Sequence, residues 1–406
     1  MIQKAFDDIT KADIDFLIEN KIAEFKTLEY KEKLPGSTDK NKKEFLADIA
    51  SFANTSGGDI IYGIKAAVDS DGKKTGAPEK VVPLQGKNSD EAKLMIENII
   101  RTGIAPRISV HVKEITGCGD DSNGFIILVR IPQSFASPHL VTSKSSPFFC
   151  RNSAGKYPLD VQEIRSAFLA TDSQADRIRS FIQNRLAKIM ADETPMKLSA
   201  PHRLVLHVLP LNSFLNHKRL DLSNCGNMRF DFTPISINRP DYRYNLDGLL
   251  TYKASGKATL CNSYCQVFFD GTIEAVCNDI FRTKDGKIPQ DDDIAFIASI
   301  AYEQWIVEAL ESYFSGYKEL GVEAPIIIFI ALLGCKGVYM FTHSPGGVYD
   351  KPIDRDVAVL PEAQTDSLDK DIPTIMKPIF DAVWNACGYP SSFNYTDDGT
   401  WNVRRL

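Results

Sequence analysis

IASFANTSGGDIIYGI, residues 49–64, joins two apolar runs through the small polar residues Asn54, Thr55, Ser56, Gly57 and Gly58. Phe45, Ile49 and Phe52 recur at i, i+4 and i+7, which predicts a helix over 41–53; the apolar DIIYGI predicts a buried strand over 59–65. Asn and Gly tolerate the left-handed conformation in which helices end, so NTSGG reads as a helix-to-strand turn. A helix C-terminus presents carbonyls and a partial negative charge, and no Gly-Lys-Ser/Thr follows the Gly58 and Gly63 pair. The turn is therefore not a P-loop cradle.

Outward from this stretch, helices are expected at 11–24 and 89–101, and strands at 27–33, 106–115 and 124–131. Helices and strands mix without a clean βαβ rhythm, the pattern of a mixed α/β (α+β) fold. In DVQEIRSAFLATDSQADRIRSFIQNRLAKIM, Ile178, Phe181, Ile182, Leu186 and Ile189 recur at helical spacing, with Arg177, Arg179, Arg185 and Lys188 around them. From Lys144 to Lys188 eight Lys/Arg (144, 151, 156, 165, 177, 179, 185, 188) face four acids (160, 163, 172, 176), a local basic excess that also suits an ordinary solvated helix face. ADETPMKLSAP then reads as a linker. The chain divides into a domain over 1–170, a basic helix and linker over 171–198, and a second α/β domain over 199–406 with a mixed or antiparallel sheet.

In that second domain HRLVLHVLPL alternates like a half-buried strand, strands follow at 246–254 and 264–270, and Asp270–Gly271 turns into TIEAV as a hairpin. Asp291–Asp293 are expected to cap a long apolar helix over 294–314. A strand over 325–333 with a hairpin partner at 337–342, and a helix over 372–387, complete it; HSPGGVYD (343–350) reads as a glycine turn. No motif here attaches to a reaction, and regulation or homo-oligomer formation is its expected role.

With 406 residues, 43% of them hydrophobic and 25% charged, the composition is that of globular domains. A net charge of −6 excludes a uniformly basic nucleic-acid binder, so any phosphate-binding surface is a local patch. The eight cysteines form no CxxC and no zinc set, and the longest apolar run, within APIIIFIALLG, is too short to span a bilayer. A cytoplasmic protein with no membrane contact is expected.

Chemistry first suggests itself in IAEFKTLEYKEKL. On a continuous helix Glu24 and Glu29, five residues apart, would diverge by about 140°; they converge only if the helix ends between them. In the strand that follows, Glu29 and Lys31 share one face. Two acids beside a lysine suit a Mg²⁺- or Mn²⁺-dependent nuclease, and equally a cross-strand ion pair.

EFKTLEYKEKLP, IASFANTSGGDIIYGI, GFIILVRIPQSFASPHL and PFFCRNSAGKYPLDVQEI, in this order, resemble the Schlafen-type divergent Alba-like (AlbA) domain over about residues 10–170. The resemblance implies a partner that is RNA or DNA, and for some relatives anti-phage defence, regulation or ATP (nucleotide) binding. Eukaryotic Schlafens cut tRNA or rRNA with three acids. Carried over, Glu24 and Glu29 match the first two acids and would hold the metal, and Lys31 matches the lysine after them. The third acid has no counterpart, since Lys65, Ala66 and Ala67 stand there; Asp69 or Asp71 would substitute, although VDSDGKKTG also reads as a hairpin turn. Arg151 holds the family's arginine position, beside Asn152 and Ser153, and His139 matches a position often filled. Asn54, Thr55, Gly57 and Gly58 would let nucleic acid approach the backbone, and Arg177, Arg179, Arg185 and Lys188 would add phosphate contacts. Three functions stay open: a nucleic-acid-binding protein, a metal-dependent endoribonuclease using Glu24 and Glu29, and a nucleotide-binding sensor or assembly protein.

Overall fold

The computed structural model describes residues 1–406 except 3, 5, 72–73, 85–87, 119–123, 135, 143–146, 154, 215–218, 224–229, 255–259, 291–292, 343–350, 397 and 403–406. The glycine turn expected at 343–350, the caps at 291 and 292, and Lys144 of the basic excess lie outside the described residues. The chain forms two compact units, Met1–Asp176 and Arg177–Leu406.

In the first unit α1 (Lys11–Glu19) precedes β1 (Leu28–Lys31), α2 (Asp39–Ala53) and β2 (Gly58–Tyr62). β3 (Ile64–Val68) and β4 (Lys74–Val81) form a hairpin, followed by α3 (Ser89–Gly103), β5 (Ile104–Ala105), β6 (His111–Thr116) and β7 (Phe125–Ile131). β8 (Leu140–Val141) pairs with β5, and β9 (Phe149–Asn152) with β10 (Gly155–Pro158). The central sheet has the order β1-β2-β7-β6, with β1 parallel to β2 and the other pairs antiparallel. Phe45, Ile49 and Phe52 of α2 and Ile96 and Ile100 of α3 pack on the face carrying Ile60, Tyr62, Ile127 and Val129. Ile14 and Leu17 of α1 pack on the opposite face, against Leu28, Tyr30, Ile61 and Leu128. Helices on both faces explain why β2 and β7 read as unbroken apolar runs.

Three expectations need correction here, the first being the strand over 106–115, which begins only at His111. The helix expected over 11–24 ends at Glu19, so Glu24 is not helical, and the strand expected over 59–65 breaks at Gly63, which has φ +98°. The opening turn is as read: α2 ends at Asn54, Gly57 turns with φ +65°, and its N–H donates to Phe52 O at 2.9 Å.

α4 (Val161–Met190) is one unbroken helix of 30 residues, so the basic helix expected from residue 171 is its continuation, and residues 191–196 after it are the irregular stretch expected as a linker. In the second unit follow β11 (Lys197–Leu198), β12 (Arg203–Pro210), β13 (Asp241–Tyr244), β14 (Gly248–Ala254), β15 (Leu260–Phe268), β16 (Ile273–Cys277), β17 (Phe281–Arg282) and β18 (Phe296–Ala298). α5 (Ala301–Glu319), β19 (Ile326–Leu333), β20 (Tyr339–Phe341), β21 (Val357–Val359), β22 (Ala363–Thr365) and α6 (Ile372–Ala386) complete it. A nine-stranded, largely antiparallel sheet runs β13-β14-β15-β16-β12-β19-β21, with β11 beside β15 and β22 beside β19. The expected hairpin of β15 and β16 is present.

β12 is buried along its whole length rather than half-buried. Leu204, Leu206 and Val208 meet the core that α5 and α6 fill, while Phe181 of α4 packs edge-on against His207 of the other face. The helix expected from 294 starts at Ala301, because Phe296–Ala298 is a strand paired with Phe281–Arg282 and with β20. β20 is accordingly parallel to β18 and not a hairpin partner of β19. At the centre of the α5–α6 packing, the fully buried Glu303 accepts from Tyr302 Oη (3.1 Å), Trp384 Nε1 (2.9 Å) and Ser392 Oγ (2.7 Å) at Oε1, and from Trp401 Nε1 (3.0 Å) at Oε2.

Candidate nucleic-acid interface

β1 leaves Leu28 and Tyr30 on the α1 face and turns Glu29 and Lys31 toward α2, because successive side chains of a strand alternate. Asp48 arrives from α2, where it occupies the buried stripe with Phe45, Ile49 and Phe52. Arg151 and Lys156 arrive from the β9–β10 hairpin, where they are directly opposed in register and so project from one face.

These five side chains form one ion-pair chain. Arg151 Nη1 lies 2.6 Å from Glu29 Oε2, and Lys31 Nζ lies 2.5 Å from Glu29 Oε1 and 3.1 Å from Asp48 Oδ2. Lys156 Nζ lies 2.6 Å from Asp48 Oδ1 and donates to Glu44 O at 3.0 Å. The Arg151 guanidinium stacks 3.9 Å from the centre of the Phe52 ring. Arg151 and the two carboxylates are nearly closed off, whereas the side chains of Lys31 and Lys156 remain 28% and 26% exposed, so the accessible part of the cluster is its two lysines.

Electrostatics separate the two acids. Burial pushes the Glu29 carboxyl up, but Lys31 and Arg151 outweigh it and leave the group below its ordinary range. Burial, then the Glu29 charge, pushes Asp48 above its ordinary range against the pull of Lys31 and Lys156. Burial opposes the Lys31 charge, and Asp48 and Glu29 more than offset it.

The turn NTSGG places the hairpin that carries the cations. Asn54 Nδ2 donates to His139 O and Phe149 O, both at 2.9 Å, and Oδ1 accepts from His139 N at 2.7 Å. Thr55 Oγ1 accepts from Arg151 N at 3.1 Å and donates to Ser51 O at 2.7 Å. A Cβ on Gly57 would lie 2.7 Å from Ile131 O and Gln133 N, and one on Gly58 2.5 Å from the Phe52 ring. The space that both glycines keep open is filled by the protein itself. His139 is fully buried, with Nδ1 2.8 Å from Pro106 O and Nε2 2.6 Å from Ser134 Oγ. Since a carbonyl only accepts, Nδ1 carries the proton and Nε2 accepts from the serine; burial holds the ring's pKa down.

The remaining expected residues lie elsewhere. Glu24 Oε1 accepts from Tyr30 N at 2.9 Å, while Glu29 is engaged on the α2 face. Asp69 lies in the β3–β4 turn, where Oδ1 accepts from Asp71 N at 3.0 Å. Among the described residues no three His, Cys, Asp or Glu side chains gather as metal ligands. Glu24, Glu29 and Asp69 therefore do not fit a Mg²⁺ or Mn²⁺ site, and the nearest acid to Glu29's partners, Asp48, is neutralised by two lysines. Asn152 and Ser153 are exposed beside the cluster. Arg177, Arg179 and Lys188 are exposed on α4, but Arg185 is held by Glu274, with Nε 2.7 Å from Oε2 and Nη2 2.8 Å from Oε1.

Asp48 and Lys156 complete the cluster without being singled out by the sequence reading. An acid inside the apolar stripe Phe45, Ile49, Phe52 is the signal that would have found Asp48, since a buried acid needs a partner.

The fold and cluster define a two-faced mixed α/β domain with a pair of partly exposed lysines held by two largely covered acids. Residues 24–160 match the family described as Schlafen, AlbA_2, so the N-terminal unit carries a Schlafen-type AlbA domain, and this supports a nucleic-acid-related role. Among solved structures, one similar chain is the N-terminal domain of a RecG-related ATP-dependent DNA helicase protein from Nitrosomonas europaea, with 15% identity, TM-score 0.26, and coverage of 34% of this chain and 82% of that one. Another is the DIP2311 protein from Corynebacterium diphtheriae, with 18% identity, TM-score 0.24, and coverage of 37% of this chain and 26% of that one. A comparison with curated proteins gave no match. Among the described residues no helix is long and apolar enough to cross a membrane.

Proposed function

We propose that the N-terminal unit binds RNA or DNA along its phosphate backbone, at the surface where Lys31 and Lys156 emerge. The observation that carries this reading is the ion-pair chain: three cations against two carboxylates, with Asp48 buried, Glu29 largely covered, and both lysine side chains partly exposed. Lys156 rests against the N-terminal half of α2, whose first turns add Lys40, Lys42 and Lys43. Arg151 serves as a positioning residue, fixed by Glu29 and Phe52, while the exposed Asn152 and Ser153 are the hydrogen-bond donors nearest to a phosphate path.

Fluorescence anisotropy with labelled single-stranded RNA, tRNA and duplex DNA across a salt series tests this. Removing one cation from a phosphate lowers the slope of log K against log salt by about 0.9 on duplex and about 0.7 on single strands. Lys31→Gln/Lys156→Gln is expected to flatten the slope by about two such steps; an unchanged slope refutes the assignment.

The nuclease reading rests on a separate observation, the gathering of Glu29 and Asp48 around one lysine, whose Nζ lies 2.5 Å from Glu29 and 3.1 Å from Asp48. Gels with Mg²⁺ and Mn²⁺ decide it. Binding without cleavage is expected, and metal-dependent cleavage abolished in Glu24→Ala/Glu29→Ala would establish the enzyme instead.

A further inference from the structure

We propose that a cavity beside α5 in the C-terminal unit is a binding site for a small organic cation, an amine or guanidinium on a flat or apolar body. The cavity measures about 350 Å³, within the range of small-molecule sites. Trp305, Glu308 and Ser312 line it from α5, and Phe230, Ser236 and Asn238 from the segment that crosses in front of that helix.

Its chemistry is one-sided. Glu308 is the one charged residue among the described lining residues, and none of them is Lys, Arg or His. Gln304 Nε2 donates to Glu308 Oε1 at 2.9 Å, and no described protein group engages Oε2. Two aromatic side chains share the wall, and an aromatic face attracts a cation as a carboxylate does. Trp305 Nε1 and the Asn238 carboxamide have no protein partner among the described residues, which leaves a donor and a two-sided amide for a ligand's polar atoms.

The wall is also held in a strained shape. Ser236 has φ +71°, a left-handed conformation that costs a serine on the order of 1–2 kcal/mol. Its Oγ donates to Asp279 Oδ2 at 2.8 Å. Ser312 Oγ donates to Phe230 O at 3.0 Å and fixes the facing side. A phosphate finds no positive group here and meets the Glu308 charge, so the lining favours cations over nucleotides.

Isothermal titration calorimetry of the full chain with agmatine and with 2-phenylethylamine tests the site, with adenosine monophosphate alongside. Glu308 is exposed on its helix, so Glu308→Gln preserves the fold. At least one cation is expected to bind saturably, at one per chain and with millimolar or better affinity. Glu308→Gln should weaken it at least about tenfold, as follows from removing a charge-assisted hydrogen bond. Lys31→Gln/Lys156→Gln should leave it unchanged, which separates this site from the nucleic-acid surface. No heat from either cation at concentrations of about 10 mM, equal binding by Glu308→Gln, or tighter binding of adenosine monophosphate would each overturn the proposal.

Discussion

Glu274→Gln is the sharpest test of how the C-terminal unit is held together. Glu274 is fully buried and accepts from Arg185 Nε (2.7 Å) and Nη2 (2.8 Å), and from Tyr264 Oη at 3.0 Å; His207 Nε2 lies 3.1 Å away. Burial opposes the charge, but Arg185 and His207 prevail and hold the carboxyl at about 2, against an ordinary 4.5. That difference, at 1.36 kcal/mol per pKa unit, corresponds to about 3 kcal/mol of pH-dependent stability. A carboxyl whose folded pKa is depressed stabilises above its unfolded pKa, so the contribution is present above about pH 4.5 and is lost as pH falls through about 2. Gln removes the charge and leaves Arg185, whose side chain is 12% exposed, without its counter-ion, which again costs about 3 kcal/mol.

All three tryptophans, Trp305, Trp384 and Trp401, lie in the C-terminal unit, so tryptophan fluorescence in urea follows that unit alone within the whole chain. With a slope of about 2 kcal/mol/M, the midpoint at pH 7 is expected to fall by about 1.5 M. The wild-type and variant curves should approach each other between pH 4.5 and 2. A shift below about 0.3 M, or pH profiles that stay parallel, would refute the assigned role of the Arg185–Glu274 pair.

Three further outcomes are expected. Gly57→Ala and Gly321→Ala face nearly the same backbone cost, at φ +65° and +64°, but only Gly57 is closed in by backbone atoms; thermal melts should show about 1 kcal/mol lost at Gly321 and distinctly more at Gly57. Asn54→Ala removes three hydrogen bonds that tie β9 and residue 139 to the end of α2, so about 1–3 kcal/mol of local stability should disappear, read as faster amide exchange at Arg151 and Tyr157. Tyr264→Phe deletes one buried donor to Glu274 and should cost about 1 kcal/mol by the same urea titration.

The fold was most legible where burial was two-sided or a turn demanded glycine. α2, the Gly57 turn and β2 follow from the apolar spacing and the left-handed residues, and β7 from a run with no polar face. Periodicity failed where tertiary pairing decided the outcome. Phe296–Ala298 shares an apolar run with the helix that follows it, yet Phe281–Arg282 and Tyr339–Phe341 recruit it as a strand. HRLVLHVLPL alternates, but α4 and α5 cover both faces of the sheet, and its polar members Arg203 and His207 are buried with partners. Of the ion-pair cluster, the resemblance singles out Glu29, Lys31 and Arg151. Asp48 and Lys156 are not among them, because the register of β9 against β10 and the facing of α2 determine which charges meet.

Glu303 bears on how the chain is made. Its donors Trp384, Ser392 and Trp401 follow it by 81, 89 and 98 residues. During synthesis, at about 5–20 residues per second, α5 leaves the ribosome several seconds before any of them. In that interval the Glu303 carboxyl has only water and its neighbour Tyr302 to satisfy it, and α5 cannot settle onto the sheet without leaving a polar group unpaired. Closure of the C-terminal core thus waits for residues 384–401, and a nascent protein cut short before residue 384 stays open and exposed to proteolysis.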